Sequence, residues 1–278
     1  MFVLQSFVQT ALDLQKEIKS IKNSFVIVEP SYKLGLTSIY EFPNVYECKW
    51  RHRSSKSTAL IIYTSGTTGA PKGVEISFAN MFAQLHDLEY ALNEILPNRK
   101  VTVLSILPMN HLFELTVGFS TFLNFGFTVY YTQSLKPKDI LGIMVEKKVD
   151  FMIVVPAFLK LLKTAIETEL NNSPKHVQIA FKIMYTIAGF IPSYGIKKAM
   201  FKKIHEKFGG HFMGCISGGA PLDISVGAFF ERIGLKVYQG YGPSETSQVV
   251  SDNTDKHQDS ASTVRPLQSF HDHIAQPT

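Results

Sequence analysis

The chain has 278 residues, 45% of them apolar, and its 28 basic and 23 acidic side chains leave a net charge of +5. Such a composition suits a globular protein with a sizeable core; it excludes a disordered chain and gives no reason to invoke nucleic acid. The two cysteines, Cys48 and Cys215, lack metal-type or CxxC spacing, so neither a disulfide framework nor a zinc site is expected, and a reducing cytosol fits.

Apolar positions at Phe7, Ala11, Leu14, Ile18 and Ile21 predict one amphipathic helix over residues 2–21. Phe25 to Val28 reads as a short strand stopped by Pro30, and residues 31–57 as irregular, closing on the basic run Arg51 to Lys56. The apolar run Ala59-Leu60-Ile61-Ile62 then predicts a strand. It feeds the stretch around which the chain is organised: Tyr63-Thr64-Ser65-Gly66-Thr67-Thr68-Gly69-Ala70-Pro71-Lys72-Gly73. Glycines that permit unusual backbone turns, several hydroxyls and one lysine together suit an anionic guest such as phosphate. A Walker loop would need Gly-Lys-Ser/Thr entering a helix, whereas here Pro71 precedes Lys72 and Gly73 follows it.

Downstream, Val74 to Ser77 reads as a short strand, with Ser77 or Asn80 opening a helix through Asn93. Val101 to Leu107 predicts a strand, His111 to Asn124 a helix, and Phe127 to Tyr131 a strand. Lys138 to Lys148 then predicts a helix, Phe151 to Val155 a strand and Pro156 to Leu170 a helix. The alternation argues for an α/β protein with largely parallel pairing. A long helical region follows from Val177 to Phe208, interrupted near Pro192, in which Lys197, Lys198, Lys202, Lys203 and Lys207 flank apolar residues. This region is a candidate for peripheral contact with an acidic membrane surface, although an ordinary solvated helix face has the same pattern. The most apolar windows are broken by polar residues and proline, so no membrane span is expected, and the N-terminus lacks a secretory pattern.

Four stretches in this order resemble the adenylate-forming superfamily of acyl-CoA synthetases, luciferases and peptide-adenylation domains. They are the Tyr63 to Gly73 loop, Leu107-Pro108-Met109-Asn110-His111-Leu112-Phe113-Glu114, the Phe208 to Leu222 stretch with its Gly218-Gly219-Ala220-Pro221 turn, and Val237-Tyr238-Gln239-Gly240-Tyr241-Gly242-Pro243-Ser244-Glu245-Thr246. The resemblance is greatest to long-chain fatty acyl-CoA synthetases. It implies layered, mostly parallel sheets flanked by helices, forming part of the large N-terminal domain. It also implies an AMP-binding core over residues 58–250, a partial leading segment over 1–57 and an eroded, frayed tail over 251–278.

By the same resemblance, Thr64, Ser65, Gly66, Thr67, Thr68 and Gly69 hold phosphates of ATP, and Lys72 supplies positive charge. His111 sits at the mouth of the acyl pocket. Gly218, Gly219, Ala220 and Pro221 pack against adenine together with Gln239, Gly240, Tyr241 and Gly242; Ser244 contacts the α-phosphate and Glu245 holds magnesium. The implied activity converts a carboxylic acid, here a fatty acid, and ATP to acyl-AMP and then to a thioester with CoA. A ribose-binding aspartate, a hinge and a small C-terminal domain are expected to fall outside this chain. Two alternatives stay open: a remnant or nucleotide-binding protein without turnover, and an acyl-AMP ligase that serves a carrier protein.

Overall fold

The computed structural model describes residues 2–4, 8–19, 25–27, 37–38, 52–64, 71–96, 99–132, 134–243, 249, 251–252 and 265–266. Contacts divide the chain into two compact units, Met1–Arg53 and Ser54–Thr278. In the first, β1 (Phe2–Leu4), β2 (Phe25–Ile27) and β3 (Thr37–Ser38) form a three-stranded parallel sheet, with α1 spanning Val8–Glu17. The helix expected over residues 2–21 is therefore shorter: Phe2, Val3 and Leu4 pair with β2 through their backbones, and local periodicity does not register such a partner.

The second unit begins with an antiparallel hairpin, β4 (Thr58–Thr64) and β5 (Lys72–Ser77), which makes a two-stranded sheet of its own. Ser77 ends β5 and caps α2 (Phe78–Ile95). Its Oγ accepts from the Asn80 N–H at 3.2 Å, while Asn80 Oδ1 accepts from the Ser77 N–H at 3.0 Å. Both residues expected to start this helix thus act in one capping box, satisfying donors the helix cannot satisfy internally.

The rest is a seven-stranded sheet of β6 (Thr102–Ser105), β7 (Thr128–Tyr131), β8 (Phe151–Val154), β9 (Gly214–Ser217), β10 (Lys236–Tyr241), β11 (Ser251–Asp252) and β12 (Arg265–Pro266). Its order is β12-β11-β10-β9-β8-β6-β7, parallel from β10 to β7, with β11 and β12 antiparallel at one end. Between the strands lie a π-helix (Glu114–Thr121) running into α3 (Phe122–Asn124), then α4 (Pro137–Glu146), α5 (Pro156–Asn171), α6 (Lys175–Ala188), α7 (Tyr194–Met200), α8 (Lys202–Lys207) and α9 (Ile224–Arg232).

Successive strand residues face opposite sides, so the sheet separates two cores. Leu104, Met152, Val154, Cys215 and Val237 join Ile140, Leu159, Phe208 and Phe230 on one side. Val103, Phe151, Ile153, Ile216 and Tyr238 join Leu88, Leu92, Phe113 and Phe122 on the other. The expected layered α/β architecture is present, and the hairpin and the β10–β11–β12 edge are its antiparallel parts.

Candidate functional site

In a parallel sheet all strands end at one edge, and ligands gather beyond it because the connecting loops there are free to vary. Here β6 ends at Ser105 and leads to Pro108 and His111; β9 ends at Ser217 and leads to Gly218–Pro221; β10 ends at Tyr241. Ser217 and Gln239 are partners in the β9–β10 register, so the Gly218–Pro221 turn and the Gly240–Gly242 segment leave adjacent strands side by side. Three of the four motif segments therefore meet at one edge.

The Gly218–Pro221 turn offers backbone and short side chains only. Gly219 has φ +82°, a conformation glycine adopts without steric cost, and Ala220 and Pro221 are exposed. Tyr241 leaves much of its ring open to solvent. An accessible aromatic ring one strand away from a turn of small residues fits a flat heteroaromatic base. Beneath the turn, the Ser217 hydroxyl is buried and makes no hydrogen bond. Buried polar groups are seldom left so, and the lack of a partner fits a position beside a ligand site.

The hairpin places Thr64 opposite Lys72 in the last pair before the connecting loop, with Lys72 exposed. Ser65, Gly66, Thr67, Thr68 and Gly69 lie outside the described residues, as do Ser244 and Glu245, so the phosphate and magnesium assignments to them stay expectations. Among the described residues no group of three or more His, Cys, Asp or Glu side chains could hold a metal ion.

A small apolar pocket of about 20 Å³ lies between α2, the π-helix and the ends of β9 and β10. Leu88, Ala91, Leu92 and Ile95 form the α2 wall, Phe113 and Val117 the opposite wall, and Ile216, Tyr238, Gln239, Gly240 and Val249 the remainder. The Phe113 ring packs directly on Gly218, where an added β-carbon would stand 2.7 Å from two ring carbons. His111 is exposed at the start of this helical segment, and its carbonyl accepts from the Leu115 N–H at 3.0 Å.

Glu114 is fully buried and was not among the expected site residues. It accepts hydrogen bonds from Ser105 Oγ at 2.5 Å and from the Tyr131 hydroxyl at 2.9 Å. Burial pushes its carboxyl above the usual range, and the two donors only partly offset this. Gly118 makes room for it, since a β-carbon there would stand 2.4 Å from both carboxyl oxygens. The surrounding turns are wide: Ser120 Oγ donates to the Leu115 carbonyl at 2.6 Å and Thr121 Oγ1 to the Thr116 carbonyl at 2.7 Å, each five residues back. Such π-turns recur where a helix shapes a site. An acid inside an otherwise apolar helical run was the sequence signal for this feature.

Fold and edge together define an AMP-binding enzyme domain. The chain matches the AMP-binding enzyme family over residues 5–271 and belongs to that family. It is 29% identical over 248 residues to long-chain-fatty-acid CoA ligase 3 of Saccharomyces cerevisiae, covering 84% of this chain and 35% of that protein. It is 32% identical over 195 residues to long-chain-fatty-acid CoA ligase 2 of Schizosaccharomyces pombe, covering 66% and 28% respectively. The chain thus spans about a third of the length of these curated relatives. Its fold matches a long-chain-fatty-acid-CoA ligase (FadD1) of Archaeoglobus fulgidus with a TM-score of 0.63 at 18% identity, over 96% of this chain and 47% of that one. The expected family is the one found, and the resemblance to long-chain acyl-CoA synthetases holds.

Proposed function

We propose that this chain is the nucleotide- and acyl-binding part of an AMP-forming ligase that joins a long-chain fatty acid to CoA. One observation carries the reading: a single apolar pocket is walled by α2, which follows the phosphate hairpin, by Phe113 of the His111 segment and by Gln239 and Gly240 of the Tyr241 segment. An alkyl chain that parts these apolar walls would gain about 0.8 kcal/mol per methylene buried, with its carboxylate end facing the sheet edge.

ATP supplies the α-phosphorus that a fatty carboxylate attacks, giving acyl-AMP and pyrophosphate, and the thiolate of CoA then displaces AMP. The residues of this chain bind and orient. Lys72 offsets triphosphate charge beside Thr64, Ser65, Gly66, Thr67, Thr68 and Gly69, so that repulsion does not oppose the incoming carboxylate. Gly218, Gly219, Ala220, Pro221 and Tyr241 receive the base, Ser244 the α-phosphate, and Glu245 would hold the magnesium that neutralises phosphate oxygens.

Calorimetric titration of the purified chain with Mg-ATP tests this. Saturable binding is expected, and Lys72→Ala/Glu245→Ala is expected to weaken it at least tenfold with little change in melting temperature, since Lys72 is exposed. A folded chain that does not bind Mg-ATP would remove the ligase reading and leave a remnant of the family.

A further inference from the structure

An amphipathic helix normally turns one face inward and leaves a polar face to water; α6 has a second apolar stripe instead. Its inner face is fixed by the core. Phe181 stacks with Tyr185 at 5.7 Å and meets Phe201 edge-on at 5.5 Å, and Met184 packs on the same cluster. On the far side Ile179, Ile183 and Ile187, spaced four apart, are 58%, 55% and 49% exposed, and Phe190 just past the helix end is 86% exposed. Four large apolar side chains thus form one line open to solvent, and such contiguous patches mark interaction surfaces.

The charge around the stripe selects the partner. No acidic residue occurs between Glu169 and Glu206, an interval that holds six lysines. Lys175 lies one turn before Ile179 on the same stripe, and Lys182 lies beside Ile183; both are exposed. The nearest acids in sequence on α5 are already paired, Glu167 with Lys163 at 3.9 Å and Glu169 with Lys207. The Lys197–Lys207 cluster noted in the sequence lies on α7 and α8, where Lys197 is buried with its ammonium 5.1 Å from the Tyr194 ring centroid and Lys202, Lys203 and Lys207 are exposed.

From the stripe and its lysines we infer that α6 and the turn at Phe190 form a docking surface for an anionic lipid bilayer. The isoleucines and Phe190 enter the acyl boundary, and Lys175 and Lys182 meet anionic headgroups. The test reads lipid binding alone and does not depend on turnover.

The test is flotation of the full chain with vesicles of phosphatidylcholine alone and with a third of the lipid replaced by phosphatidylglycerol. Binding is expected to the anionic vesicles, weaker in high salt. Lys175→Gln/Lys182→Gln is expected to reduce it on the order of tenfold, and Ile183→Gln/Phe190→Ser to abolish it at an unchanged melting temperature. Anionic-vesicle binding that both variants retain, or its absence in the folded wild-type chain, overturns the inference. So does concentration-dependent dimerisation, removed by Ile183→Gln/Phe190→Ser, in a chain that ignores vesicles; the face would then join two copies.

Discussion

The Phe113 ring fills the space that any side chain on residue 218 would need, with two ring carbons 2.7 Å from where its β-carbon would stand. The contact ties the segment after His111 to the turn after β9, and Phe113 also lines the apolar pocket. Gly218→Ala is therefore expected to cost about 1–3 kcal/mol of stability through overpacking and to weaken nucleotide binding. Adding Phe113→Leu should recover part of both losses. A double-mutant cycle on urea midpoints and Mg-ATP affinity measures this, and strict additivity would mean that the two residues do not constrain one another.

Glu114 gives a pH signature. Because burial raises its folded-state pKa above 4.5, the unfolded chain releases the proton first as pH rises. Stability from this group is thus present below that value and is lost progressively above it. Glu114→Gln removes the charge while keeping an oxygen that can accept from Tyr131. The variant is expected to gain on the wild type as pH rises from 4 to 8, read from urea midpoints at several pH values. A difference that stays flat across that range would mean the carboxyl is not held above its ordinary range.

Ala91 lines the pocket on α2 and is buried, so under the proposed function a larger side chain there would shorten the space an acyl chain can occupy. Ala91→Leu adds three carbons, and excluding about three methylenes at about 0.8 kcal/mol each predicts a loss of roughly 2 kcal/mol in binding the longest fatty acids. Shorter ones should bind as before. Competition between fatty acids of graded length distinguishes this from a general loss of folding, which would weaken all lengths alike.

Much of this arrangement was legible before any coordinates. Strand and helix alternation gave the parallel sheet, because buried strands read as short apolar runs bounded by proline or glycine, as at Val101–Pro108. The segments after β6, β9 and β10 stood out in the sequence as motifs, and the fold brings those three to one edge of the sheet. What stayed hidden depends on contacts distant in sequence. The β1 strand exists through its pairing with β2. The strand expected at Val74–Ser77 is β5, but its antiparallel pairing with β4 across the loop was not legible. Phe113, Val117 and Ala91 look like ordinary core residues until the π-helix, α2 and β10 are placed around one space. The exposed stripe on α6 was not singled out, since periodicity cannot say which of two apolar faces meets the core.

Among the described residues, the hairpin β4–β5 is not hydrogen-bonded as a strand into the main sheet. It is anchored to α2 by the Ser77–Asn80 capping box and by the Phe78 and Ala79 N–H groups, which donate to the Ser57 and Ser55 carbonyls at 3.1 and 2.8 Å. The same helix, two turns further on, is a wall of the apolar pocket. Under the proposed function, alkyl chain and phosphate would be served from opposite ends of one lever. A tilt of α2 favoured by an acyl group would then reach the lysine at the hairpin, and by reciprocity whatever affinity one ligand confers on the other would be returned in equal measure.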